Sequence, residues 1–184
     1  MPNALELLRQ DHTKVKELFT EFEQTDDEAT KKGIVDTALL ELEVHAQLEE
    51  ETFYPAVRDR VKGDEENEEL MDEADEEHHV AKVLIAELMD MEASDSHYDA
   101  KFKVLAESVK HHIEEEEDEM FPAATEVLDS TDLTALGAIM EERKQQIMAE
   151  MSAGKRRSTN GRGSTKSRSK SGSGSRRKAK TRIR

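Results

Sequence analysis

The chain has 184 residues, no cysteine and no tryptophan, and 38% of it is charged; disulfides, thiolate metal sites and a cysteine nucleophile are excluded. The net charge of −16 averages two opposite regions, with −29 over the first 153 residues and +13 over the last 31. No apolar run approaches the ~20 residues needed to cross a bilayer, and the N-terminus lacks the charged and apolar regions of a secretory signal, so a cytoplasmic protein with no membrane partner is expected.

Up to about residue 151 the chain is rich in Glu, Ala, Leu and Lys and poor in Gly and Pro, which favours helix. The first segment places Leu5, Leu8, His12, Val15, Phe19 and Phe22 at spacings of three and four, a helical stripe. A break at Gln24 to Glu28 separates it from a second helix over about Thr30 to Lys62. The face of that helix is Ile34, Ala38, Leu42, His45, Glu49 and Ala56. Pro55 lies inside this run and predicts a kink or restart. Gly63-Asp64 is a turn signal. A third helix over Glu65 to Glu92 begins with an acidic turn that suits a helix N-terminus; Val80, Val83, Leu84 and Leu88 are its expected apolar contacts around His79. Ser94-Asp95-Ser96 reads as a turn and cap. A fourth helix carries Leu105, Val109, His112, Glu116 and Ala123 on one face. Ser130-Thr131-Asp132 reads as a further cap, followed by a fifth helix to about Met151 with Leu133, Leu136, Met140, Ile147 and Met148. Residues 1–152 form one domain, and residues 153–184 are a basic Gly/Ser/Lys/Arg tail expected to be disordered.

Two segments share one plan. His45 to Pro55 (HAQLEEETFYP) and His112 to Pro122 (HIEEEEDEMFP) each place a glutamate four residues and a proline ten residues after a histidine. Their offset is 67 residues, and the same offset carries His12 to His79 without a gap. An internal repeat of this kind governs the fold reading. It predicts an all-α, up-down-up-down four-helix bundle of two pseudo-symmetric hairpins, plus the fifth helix and the tail. His78 aligns with Asp11 and His111 with Val44 in this register, so His79 and His112 are the expected ligands, and His78, His97 and His111 are expected either to be exposed or to support the ligands from outside.

The expected metal site is therefore His12, His45, Glu49, His79, His112 and Glu116. Buried carboxylates are unfavourable unless paired or metal-bound, and six ionisable groups converging from four helices would destabilise an empty core. Imidazole suits iron, zinc, copper and nickel, and carboxylate suits manganese and iron. Two glutamates, one per repeat, can bridge two ions. A single HxxxE on a Glu-rich helix means little; the joint pattern carries the argument. Glu50, Glu51, Glu114, Glu115 and Glu117 read as a solvated acidic face; Glu50 and Glu117, which repeat, are the best placed of them to support the ligands. The methionines read as core filler.

This constellation resembles the haemerythrin-like family, specifically its HHE cation-binding domains. The likeness rests on Asp11-His12 with Val15, Leu18 and Phe19; on His45-x-x-x-Glu49-Glu50 with Phe53-Tyr54-Pro55; on Glu77-His78-His79; and on His112-x-x-x-Glu116-Glu117 with Phe121-Pro122. The resemblance implies a non-haem centre of two iron ions, ahead of manganese or zinc, with a bridging oxygen species. It also implies a small ligand such as O2, H2O2 or NO. The oxygen-carrying members have a second histidine four residues on in the third helix, at the position read here as Val83, and a terminal aspartate where this chain has Glu116. Four histidines instead of five favour redox chemistry or sensing over simple carriage. If an enzyme, the chain would be a peroxide- or O2-reactive di-iron oxidoreductase.

The tail carries Lys155, Arg156, Arg157, Arg162, Lys166, Arg168, Lys170, Arg176, Arg177, Lys178 and Lys180 without an aromatic residue to stack on bases. Such a segment suits non-specific DNA or RNA binding by phosphate neutralisation, consistent with a nucleoid-associated protein, or docking on the acidic bundle. Three readings stand at this stage. One is an oxidant-binding or oxidant-reactive di-iron protein, the second a nucleic-acid-associated interaction protein with a structural metal, and the third an iron or O2 sensor or store without turnover.

Overall fold

A computed structural model describes residues 2–161, with side chains described as far as residue 151. All regular structure among these residues is helical. Helix α1 spans Ala4–Glu23, α2 Glu28–Leu48, α3 Tyr54–Arg60, α4 Glu65–Met89, α5 Tyr98–Glu115, α6 Phe121–Val127 and α7 Ser130–Gly161. A π-helical turn, Glu49–Phe53, joins α2 to α3, and a second, Glu116–Met120, joins α5 to α6. Helix α1 packs on α2 and α4 on α5, while α2 also meets α4 and α1 also meets α5. This ring of neighbours is the expected up-down-up-down bundle, with α7 added. The compact unit is Met1–Ala149.

The helix starts follow local chemistry. Asn3 and Glu6 form a reciprocal capping box on α1, satisfying two backbone donors that a helix start leaves open. Asp27 caps α2 through the Thr30 amide at 2.8 Å. Two expected caps are displaced. The Asp95 carboxylate accepts from the Glu92 amide within the turn, and α5 begins after His97 without a side-chain cap. At α7 the cap is Asp129, which accepts from the amides of Thr131 and Asp132.

The kink or restart expected at Pro55 takes the form of a π-helical turn followed by α3, which starts at Tyr54 with Pro55 in its first turn. A proline inside a helix removes a donor and crowds the carbonyl four residues earlier, and one wider turn relieves that crowding without ending the helix. Pro122 stands at the same point of the second repeat, and the second π turn is there too. Each π turn opens on the glutamate of a His-x-x-x-Glu pair. Single π turns of this kind concentrate at functional sites.

The ungapped repeat fails in the third helix. The buried positions of α4 are Met71, Ala74, His78, Ile85 and Leu88. They match Leu5, Leu8, His12, Phe19 and Phe22 of α1 at an offset of 66, not 67. His78 and His112 are 34 residues apart where His12 and His45 are 33 apart, and the longer connection between α4 and α5 absorbs the extra residue. One residue on a helix is a rotation of about 100°. Val80 and Val83, expected around the site, are accordingly 49% and 46% exposed.

The main core cluster gathers Phe19, Phe22, Val35, Leu88, Phe102 and Leu105 with their neighbours at one end of the bundle. Leu8, Phe53, Met71, Met120 and Phe121 are buried toward the other end. The histidines and glutamates lie between these two apolar halves. Helix α7 runs to Gly161, past the expected end near Met151 and through Lys155, Arg156 and Arg157; the basic positions from Arg162 onward lie outside the described residues.

Candidate metal centre

Four helices deliver four imidazoles and two carboxylates to one buried locus. His12 comes from α1, His45 from α2, His78 from α4 and His112 from α5, while Glu49 and Glu116 come from the two π turns. His12, Glu49 and Glu116 are at most 1% exposed, and His45, His78 and His112 are 5–6% exposed. His12, His45, Glu49 and Glu116 offer ligand atoms within 4.8 Å of one another, as do Glu49, His78 and His112.

The fold brings five of the six residues expected as ligands together at this locus. The sixth, His79, is exposed, and the ungapped repeat is the reason it was chosen over His78. At the 66-residue offset His78 is the partner of His12. The residue one helical turn beyond it is Lys82, not Val83, and the Lys82 amine pairs with Glu50.

The imidazole orientations define the chemistry. His12 Nδ1 lies 2.7 Å from Glu117 Oε1, His78 Nδ1 2.8 Å from Glu50 Oε1, and His112 Nδ1 2.7 Å from Glu77 Oε2. A carboxylate can only accept, so each Nδ1 donates, and each neutral ring then presents the lone pair of Nε2 to the interior. Those Nε2 atoms face one another in pairs, His12 to His45 at 3.2 Å and His78 to His112 at 3.1 Å. Inward-facing lone pairs at that distance repel unless a cation or a proton lies between them.

The carboxylates fit the same reading. Glu49 Oε1 is 3.1 Å from His45 Nε2, and Glu49 Oε2 is 3.3 Å from His78 Nε2. Neither contact is aligned as a hydrogen bond, so both Glu49 oxygens, and Glu116 Oε2, are buried without a hydrogen-bond partner. Buried polar atoms are rarely left so. Glu49 thus spans the two histidine pairs with one oxygen on each. Glu116 Oε2 sits 3.2 Å from His12 Nε2 and 3.6 Å from His112 Nε2. These six side chains form two overlapping groups, each able to hold a metal ion.

Without a cation the protons redistribute. Burial opposes an imidazolium at His45, but Glu49, Asp11 and Glu116 outweigh it and hold the ring up to about 10. Burial likewise opposes charge on His112, and Glu116, Glu77 and Glu49 raise it. Burial works against the Glu49 carboxylate, yet the His45 and His78 rings hold it well below the usual carboxylate range.

Several residues of the site had no place in the expected set. Tyr54 is buried and donates its hydroxyl to Glu116 Oε1 at 2.9 Å, with His78 Nε2 3.3 Å away. Its repeat partner is Phe121, which stacks on His12 at 5.7 Å between ring centroids. The signal was present as a Tyr-for-Phe difference just before the proline that both repeats share, but it was one of several differences between the two segments. Asp11 and Glu77, also a pair at an offset of 66, face His45 Nδ1 at 3.8 Å and His112 Nδ1 at 2.7 Å. Glu50 and Glu117 do support ligands, as their recurrence indicated. The Lys144 amine of α7 pairs with Asp11, and Arg143 Nε donates to Glu51 at 2.6 Å, tying the fifth helix to the wall of the site.

A cavity of about 210 Å³ adjoins the locus, with Val15, Leu42, Ile85 and Val109 forming apolar wall beside His12 and His78. It has room for small molecules and little else.

Comparison with known proteins agrees with this geometry. A structure of a hemerythrin HHE cation binding domain-containing protein from Mycobacterium kansasii superposes with a TM-score of 0.69 at 26% identity, covering 82% of this chain and 90% of that one. A DNA nickase from Nostoc sp. is 32% identical over 128 residues, which is 70% of this chain but 35% of the nickase; the chain spans about a third of that relative's length. The model of the hemerythrin HHE cation binding domain matches residues 3–124. The chain belongs to the hemerythrin HHE cation-binding domain family.

Proposed function

We propose that this chain is a dinuclear non-haem iron protein that binds or reacts with a small oxidant, O2, H2O2 or NO, in the cavity beside His12 and His78. The observation that carries this reading is the pair of imidazole–imidazole contacts, 3.2 and 3.1 Å between Nε2 atoms, bridged by the unpartnered Glu49 carboxylate. Four imidazoles with two carboxylates suit iron more than the harder or softer alternatives. Bound iron would supply one-electron redox chemistry toward the oxidant. The chain's own groups then divide the work. Glu117, Glu50 and Glu77 fix the ring orientations of His12, His78 and His112. Tyr54 holds one oxygen of Glu116 and makes the two halves of the site inequivalent. The apolar wall keeps bulk water from the reacting centre.

Metal analysis with absorption spectra of the anaerobic and the aerated protein tests this directly. The expected result is about two irons per chain and a spectrum that changes on aeration. Protein that stays iron-free after anaerobic reconstitution overturns it. Peroxide decay with and without the iron-loaded protein separates turnover from storage or sensing.

A second element of the proposal is that the basic tail tethers the centre to DNA or RNA in the cytoplasm. It is supported by the +13 charge of the last 31 residues. Engaging ~6 phosphates gives a log–log salt slope near −5. A chain ending at residue 153 should lose that binding; equal binding by both chains removes the tether from the proposal.

A further inference from the structure

We propose that Glu77, His111 and Glu115 form a third cation site, on the surface, for a divalent first-row transition metal ion. His111 Nε2 lies 3.2 Å from Glu115 Oε1 and 4.0 Å from Glu77 Oε1. One ligand atom from each of the three residues falls within 4.8 Å of the others. His111 and Glu115 are four apart on α5 and so share a helix face, while Glu77 approaches from α4. An imidazole with two carboxylates suits Fe2+, Mn2+ or Zn2+, and less so Mg2+ or Ca2+, which prefer oxygen alone. The His111 side chain is 64% exposed, so an ion can reach it from solvent.

Two further observations separate this cluster from an ordinary solvated face. The first is charge. Among the described residues, no lysine or arginine pairs with Glu77 or Glu115; their ion-pair partners are His111 and His112. Glu73 and Glu119 add negative charge beside them. The second is the comparison with the other half of the bundle. The repeat partners of Glu77, His111 and Glu115 are Asp11, Val44 and Leu48. Val44 and Leu48 are 1% and 0% exposed, and Asp11 is neutralised by Lys144 of α7. One half closes this position with apolar side chains and a lysine, whereas the other presents three metal-ligating groups to solvent.

The site adjoins the buried centre through a single side chain. Glu77 presents Oε1 toward His111 and Oε2 to His112 Nδ1 at 2.7 Å. An ion held outside would therefore share a carboxylate with the group that orients a buried ligand.

The test is calorimetric titration of the full-length, metal-stripped chain with Zn2+, alongside metal analysis after equilibrium dialysis. The wild-type chain should show a tight phase, from the buried centre, and a weaker phase of one further ion in the micromolar range. The variant His111→Ala, Glu115→Gln should lose the weaker phase, its affinity falling at least about tenfold, while the tight phase and the melting curve stay as they were. Both positions are at the surface, so the fold is retained. Equal uptake by the two chains over the same concentration range overturns the proposal, and so does a weaker phase seen only at millimolar Zn2+. The dinuclear reading fails separately. A tight phase missing from both chains would refute the buried centre while leaving the surface site to stand on the phase that only the wild type shows.

Discussion

At the residue scale, the decisive distinction is between two adjacent histidines. His78 is buried with Nδ1 on Glu50 and Nε2 on His112, whereas His79 is exposed. His78→Ala should therefore lower the metal bound per chain and weaken what remains. His79→Ala should bind metal like the wild type, with stability changed by no more than about 0.5 kcal/mol. Metal analysis of the two purified variants decides it, and equal loss in both would return the site to the ungapped register. Tyr54 supports a second test. Tyr54→Phe copies the other half of the bundle, where Phe121 occupies the same place. It removes one hydrogen bond to a charged acceptor, so a loss of about 1.5–3 kcal/mol is expected. The absorption spectrum of the loaded protein should shift as well, because Glu116 Oε1 loses its donor. An unchanged melting curve and spectrum would show that the hydroxyl has no hold on Glu116.

At the scale of elements, the amphipathic stripes of α1, α2 and α5 were legible because each histidine recurs with its apolar neighbours at three- and four-residue spacing. Helix α4 was misread by one residue for a physical reason. Two half-buried faces of a Glu-rich helix differ little in apolar content, and Val80 and Val83 imitated a core stripe that in fact runs through Met71, Ala74, Ile85 and Leu88. The π turns were invisible to periodicity, although Pro55 and Pro122 marked their positions. Helix α7 was legible as an amphipathic segment that packs against the bundle, but its particular contacts were not: pairs such as Lys144 to Asp11 join residues far apart in the chain. The helix approaches tightly at Gly137, where a Cβ would stand 2.6 Å from the Pro2 carbonyl oxygen and 2.7 Å from the Asn3 carbonyl carbon. Backbone cannot retreat as a flexible side chain can. Gly137→Ala should therefore lower stability by about 1–3 kcal/mol despite the better helix propensity of alanine. Denaturant melts should show an earlier midpoint, and a stabilised variant would mean that α7 does not seat against the start of α1.

At the scale of the whole molecule, the bundle is two apolar halves clamped around a charged middle, and the metal is expected to act as part of the core. Packing cannot satisfy Glu49, both of whose oxygens lack hydrogen-bond partners, or the inward lone pairs of His12, His78 and His112; a bound cation would. Anything that binds only the folded chain stabilises it by mass action, by about 4 kcal/mol at free metal a thousandfold above Kd. For a domain of ~150 residues, each kcal/mol moves the melting temperature by roughly 2–4 °C. Chelation should thus lower the melting temperature by about 8–16 °C, and restoring Fe2+ without oxygen should recover it. The same shift is expected after removal of residues 154–184, because every ligand and every carboxylate that orients one lies within the compact unit Met1–Ala149. A melting temperature indifferent to chelation would mean that buried proton sharing already satisfies the core, and the metal would then be cargo and not structure. A shift that vanished with the tail would mean that the basic segment offsets the carboxylate charge of the centre.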